Sequence, residues 1–125
     1  MDQQRTLEAY ELAWTQSDEH QVRAGVEECW TSASVYVNPL TDLVRGVEGL
    51  TRLILDYPVL FPDARMYRVG EPDSHGQHVR YRWRLTSTAP IRLFGEDFGL
   101  ALTGTDIIEF DDDEKIKTVV SLFGT

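Results

Sequence analysis

The chain has 125 residues, one domain's worth, with 21 acidic against 12 basic residues and a formal net charge of -9. That balance excludes a nucleic-acid backbone or an anionic membrane as partner, since either would repel it, and a hydrophobic content of 42% excludes a disordered acidic chain. One cysteine, Cys29, excludes an intramolecular disulfide and a Cys-rich zinc site, and no apolar run approaches the roughly 20 residues that span a bilayer. The opening Met1-Asp2-Gln3-Gln4-Arg5 does not read as a secretion signal, so a cytoplasmic domain is expected. Three Trp, five Tyr and five Phe are the surplus to be placed.

Leu7, Tyr10 and Trp14 recur at helical spacing, and Ser17 or Asp18 is positioned to cap a second helix with Val22, Val26, Cys29 and Trp30 on one face. A strand follows, with Ser34, Tyr36 and Asn38 on one side and Val35 and Val37 on the other, ended by Pro39. Residues 39–46 read as a loop. Val47, Leu50, Leu53, Ile54 and Tyr57 predict a third helix that Pro58 stops, leaving 57–63 as an irregular apolar segment that includes Phe61. Met66 to Val69 predicts a short strand before a Pro72-Asp73 turn. From His78 to Thr88, Val79, Tyr81, Trp83 and Leu85 alternate with Arg80, Arg82, Arg84 and Thr86. Residues 88–98 read as a loop. Leu100 to Phe110 predicts a strand with Leu100, Leu102, Gly104, Asp106, Ile108 and Phe110 on one face. An acidic turn, Asp111 to Glu114, leads into a last strand, Lys115 to Phe123. Helices first and strands after, joined by short turns, predict an α+β domain with a mostly antiparallel, strongly curved sheet whose mouth the helices close around a pocket.

Asp106 breaks the pattern, because it shares a face with Leu102, Ile108 and Phe110. Turned inward, its neutral form is favoured by desolvation and donates a hydrogen bond to a developing oxyanion; a bulge near Gly104 would instead turn it outward. Tyr36 and Asn38 can hydrogen-bond a ligand, although Asn38 before Pro39 also suits a turn. His75 and His78 lack a third ligand, and the 111–114 acids lack the spacing of a calcium loop, so no metal is implied. Arg80, Arg82 and Arg84 are expected to pair with Glu109 or with a partner subunit.

Taken in order, the Tyr10 helix, the second helix, Tyr36-Val37-Asn38-Pro39, Gly46-Val47-Glu48-Gly49-Leu50, Gly104-Thr105-Asp106-Ile107-Ile108-Glu109-Phe110 and the 116–124 ending resemble the NTF2-like superfamily over almost the whole chain. The closest branches are the SnoaL-like and ketosteroid-isomerase-like ones. The resemblance implies a cone of three N-terminal helices on a curved sheet, an apolar pocket, and frequent homodimers through the sheet. In ketosteroid isomerase an Asp base works beside a Tyr and a protonated Asp that form the oxyanion hole. Tyr10 and Asp106 match the oxyanion pair, but the base falls on Asn38, whose amide is not basic near pH 7. Steroid isomerisation itself is therefore not expected. In limonene epoxide hydrolase, a Tyr-x-Asn similar to Tyr36-Val37-Asn38 positions water, but Arg82-Trp83-Arg84 stands where that enzyme needs Arg-x-Asp. SnoaL-type cyclases use one pocket Asp, which Asp106 resembles.

The resulting expectation is one domain, 1–125, enclosing a small apolar or aromatic carbonyl or epoxide compound. Asp106 acts as acid/base, Tyr10 and Asn38 polarise the oxygen, and Trp14, Trp30, Tyr36, Ile54, Tyr57, Phe61, Trp83 and Leu102 form the walls, with no cofactor. The competing expectation is a non-catalytic ligand-binding or dimeric interaction module of the same fold.

Overall fold

The computed structural model describes residues 2–124, the Leu60 side chain excepted. Helix α1 (Gln3–Ala13) starts at Asp2, whose carboxylate accepts from Arg5 N at 2.8 Å, and α2 (Glu19–Cys29) starts at Asp18, which accepts from Gln21 N at 3.1 Å. The helix-breaking residue within α2, Gly25, has a packing reason: a Cβ there would sit 3.1 Å from the Ala13 Cβ, so glycine lets α1 and α2 approach closely. Trp30 does not continue the α2 face as expected. It opens strand β1 (Trp30–Val37), and its indole Nε1 donates to the Gly46 carbonyl at 3.0 Å.

The 39–46 loop contains a short strand, β2 (Val44–Arg45), which pairs with β1. Helix α3 (Gly46–Leu60) runs past Pro58 instead of stopping there. Proline in the last turn forfeits only its own N–H bond, and the turn closes through Phe61 N to the Tyr57 carbonyl at 3.1 Å. After β3 (Arg65–Arg68), the Pro72-Asp73 turn leads into an unexpected short strand, β4 (Asp73–His75), which pairs with the start of β5 (His78–Thr86). The 88–98 loop is also partly ordered, as a hairpin of β6 (Arg92–Leu93) and β7 (Glu96–Asp97). Strand β8 spans Ala101–Phe110, so Leu100 falls outside it and is exposed, and β9 spans Ile116–Phe123.

The main sheet runs β2-β1-β9-β8-β5-β3, with β4 also on β5. Among the described residues, β1 and β9 pair in parallel and the other paired strands are antiparallel. The alternation read in 79–86 and 100–110 is realised as burial: Val79, Tyr81, Trp83 and Leu85 are inward, as are Leu102, Gly104, Asp106, Ile108 and Phe110. The three helices cover this inner face, α1 packing on α2, α2 on α3, and α3 on β1. On the outer face Arg80 pairs with Asp73. Glu109 does not meet the arginines, because the register sets it opposite His78, and its carboxylate lies 3.9 Å from both His78 and Lys117.

Candidate functional site

The β8 register carries the site. Tyr81 on β5, Asp106 on β8 and Ser121 on β9 lie directly across from one another, and opposed residues share a face. No bulge interrupts β8 near Gly104; its one register shift with β9 falls at Glu109/Phe110. Asp106 therefore points inward and is 5% exposed. One of its oxygens, Oδ1, accepts from Trp83 Nε1 at 2.8 Å and from Ser121 Oγ at 2.6 Å. Both donors are neutral. They satisfy geometry without cancelling charge, so burial wins and pushes the carboxyl up to about 6, against the opposing pull of Ser121 and Trp83.

Gly104 makes this arrangement possible. It lies opposite Trp83, and a Cβ there would come within 2.6 Å of the indole Cη2, so the ring can lie across β8 only because that position has no side chain. Phe123 packs edge-on against the same indole, with centroids 5.4 Å apart.

Asp106 forms part of the floor of a cavity of about 850 Å³. Tyr10, Trp14, Tyr36, Asn38, Ile54, Tyr57, Phe61, Trp83 and Leu102 line it together with Met66, Leu85 and Phe123. Trp30 does not. At 2% exposure, with its indole bonded to Gly46 and its ring stacked on Tyr10 at 6.3 Å, it is a core residue behind the wall. An aromatic chain links the walls, since Trp14 lies 6.2, 6.1 and 5.3 Å from the rings of Tyr10, Tyr36 and Tyr57.

The Tyr10 hydroxyl and the Trp14 indole N–H are buried without a hydrogen-bond partner among the described residues. Burial raises the Tyr10 phenol well above its ordinary range, with Tyr36 and Asp106 adding to it. Burial also raises the Tyr36 phenol, again with help from the Asp106 charge, and its hydroxyl sits against that of Ser121. Both phenols therefore stay neutral donors, close enough to Asp106 to feel its charge. Asn38 reaches the cavity rim, but its carboxamide is committed locally: Oδ1 accepts from Leu40 N at 2.8 Å and Thr41 N at 3.1 Å, while Nδ2 donates to Thr41 Oγ1 at 2.8 Å. The turn role that an Asn-Pro pair suggests is the one this side chain takes.

Sequence reasoning missed three polar groups of the cavity wall and the serine that holds Asp106. Ser121 was readable as a polar residue at an inward position of a period-two strand. Glu11, Arg68 and Tyr81 were not readable as a group, because they meet only in three dimensions. Arg68 Nε and Nη2 grip Glu11 Oε2 and Oε1 at 2.9 and 2.5 Å, and the Tyr81 hydroxyl donates to Glu11 Oε2 at 2.6 Å. The Arg68 guanidinium lies over the Tyr81 ring, 5.7 Å from its centroid. All three residues line the cavity.

No family model and no curated protein matches the chain. Solved structures do. A SnoaL-like-family protein from Agrobacterium tumefaciens, named as an isomerase by inference, is 27% identical over 97% of this chain and 96% of its own, with a TM-score of 0.79. A SnoaL-like protein from Jannaschia, named by inference as a polyketide cyclase, is 14% identical over 96% of this chain and 85% of its own, with a TM-score of 0.70. A protein of ketosteroid-isomerase-like fold from Catenulispora acidiphila, solved in complex with trimethylamine, is 13% identical over 93% of this chain and 82% of its own, with a TM-score of 0.69.

Proposed function

This chain belongs to the NTF2-like superfamily, and we propose that it binds an apolar or aromatic carbonyl compound in its cavity and moves a proton on it with Asp106. The observation that carries the reading is the held carboxylate. Trp83 and Ser121 fix Oδ1, which leaves Oδ2 as the oxygen free to exchange a proton with a ligand in the cavity. A carboxyl near 6 is mostly ionised at pH 7, yet more basic than an ordinary aspartate. Asp106 thus takes a proton from the carbon next to the carbonyl, the electron pair moves onto the carbonyl oxygen, and Tyr10 and Tyr36 hydroxyls donate to that oxygen. Returning the proton to another carbon gives isomerisation; attack of the enolate carbon on a second carbonyl, with the proton delivered to the new alkoxide, gives cyclisation. Tyr36 takes the donor role assigned to Asn38 from the sequence, because the Asn38 amide is occupied by its turn.

The test needs no natural substrate. In D2O, 2-tetralone should lose its α-proton signals faster with the protein than without, and Asp106→Asn should cut that rate about 100-fold or more. Tetralone binding with no exchange above buffer would leave the ligand-binding module as the surviving reading. A second proposal concerns assembly. The outer sheet face exposes Val37 and Leu122 beside the half-buried Val35, Ile107 and Val120, which supports a homodimer through the sheet. Light scattering that gives a 14.3 kDa particle at micromolar concentration would refute it.

A further inference from the structure

We propose that the Glu11–Arg68–Tyr81 cluster is a second ligand subsite, at the β3 side of the cavity two strands from Asp106, that takes a carboxylate, so that the ligand is a carbonyl compound bearing an acid group at its far end. The inference rests on the cavity reading above and adds what the far end of the ligand must be.

Arg68 is built to present an edge. Glu11 takes its Nε and one Nη2 hydrogen, and the Tyr81 ring supports its face. Tyr81 in turn locks Glu11 through its hydroxyl. A guanidinium has five N–H groups in a fixed fork, so the Nη1 pair and the second Nη2 hydrogen stay available for a planar, two-oxygen acceptor. Glu71 comes no nearer than 3.9 Å to Nη1 and its side chain is 93% exposed, a solvated charge that a ligand carboxylate displaces easily. Arg65 also borders the cavity, but its register partner Thr86 sets it on the outer face of β3, so Arg68, opposite the inward Trp83, is the cation that faces the ligand.

The sheet also sets the length. Asp106 lies on β8 and Arg68 on β3, with β5 alone between them, so two interstrand spacings separate their backbones by roughly 10 Å across the sheet, with Arg68 opposite Trp83 and Asp106 opposite Tyr81, two residues along β5. A fused two-ring scaffold with a ketone at one end and a carboxylate at the other spans that distance, and its apolar body matches the walls of Met66, Leu85, Leu102 and Phe123.

Isothermal titration with 6-acetyl-2-naphthoic acid and its methyl ester tests the subsite. The acid should bind the protein at least tenfold more tightly than the ester, and Arg68→Met should erase that preference. Glu11→Gln, which keeps the guanidinium and removes the competing anion, should widen the acid-over-ester preference. Equal affinities of acid and ester, or a preference that survives Arg68→Met, would overturn the subsite and leave the cavity reading standing. Binding of neither compound would overturn both.

Discussion

Two carboxylates line one cavity and are treated in opposite ways. Glu11 is met by a cation, with side chains of 27% and 31% exposure in the pair, so water and guanidinium share its charge. Asp106 is sealed in and, among the described residues, met by an indole N–H and a hydroxyl. The difference shows that satisfying a carboxylate's hydrogen bonds and compensating its charge are separate acts. Neutral donors do the first and leave burial free to raise the proton affinity. The wall gains an ordered, ionic anchor, and the floor gains a group poised to trade a proton.

The largest effect is expected at Asp106. Its folded value, about 6, exceeds the unfolded one, so its contribution is fully present below pH 4, is lost as pH rises through 6, and leaves a folded state carrying a buried charge. Asp106→Asn removes that charge. Relative to the parent, its stability should gain on the order of 3 kcal/mol between pH 4 and pH 7.5, as measured by urea unfolding at each pH. A flat difference across that range would show the floor carboxylate to be solvated. The proton exchange of 2-tetralone should follow the opposite limb, falling as pH drops below about 6.

Gly104→Ala should cost about 1–3 kcal/mol by forcing the Trp83 ring off β8. Because Trp83 donates to Oδ1, the same change should move the Asp106 titration further upward, which carbon-13 NMR of the carboxyl would record. Ser121→Ala should act in the same direction, with a loss of about 1.5–3 kcal/mol for a hydrogen bond to a charged acceptor, measured above pH 7. The smallest effect should come from the wall. Glu11→Gln should cost under about 1 kcal/mol, and the difference should fade in 1 M salt, since the Glu11–Arg68 pair is partly solvated. A salt-insensitive loss as large as that of Ser121→Ala would erase the contrast between the two carboxylates.

Much of the architecture was legible because it is local. The 78–86 and 101–110 alternations have period two and are written residue by residue, and Asp18 announces its helix through a cap three residues long. The errors came where a neighbour outvoted the local signal. Pro58 was expected to end α3, but late in a helix it costs one bond. Trp30 has helical spacing to Val26, yet the chain turns into β1 there and the indole finds Gly46. Asn38 and Asp106 show the two outcomes for polar residues at inward-facing positions: the first is absorbed by its own turn, and the second is delivered to the floor because β8 stays in register past Gly104.

Composition and periodicity were enough to read the class of molecule, an acidic α+β chain with 13 aromatics and one carboxylate on an apolar strand face. Those are consequences of composition and of periods of 3.6 and 2, which need no partner to be read. Folding in three dimensions settles which aromatics surround the cavity, that the indole of Trp83 and the hydroxyl of Ser121 share one oxygen of Asp106, and that Glu11 finds Arg68 and Tyr81 far along the chain. Those pairings depend on strand order and register, and burial sets proton affinity through whatever surrounds a group in space.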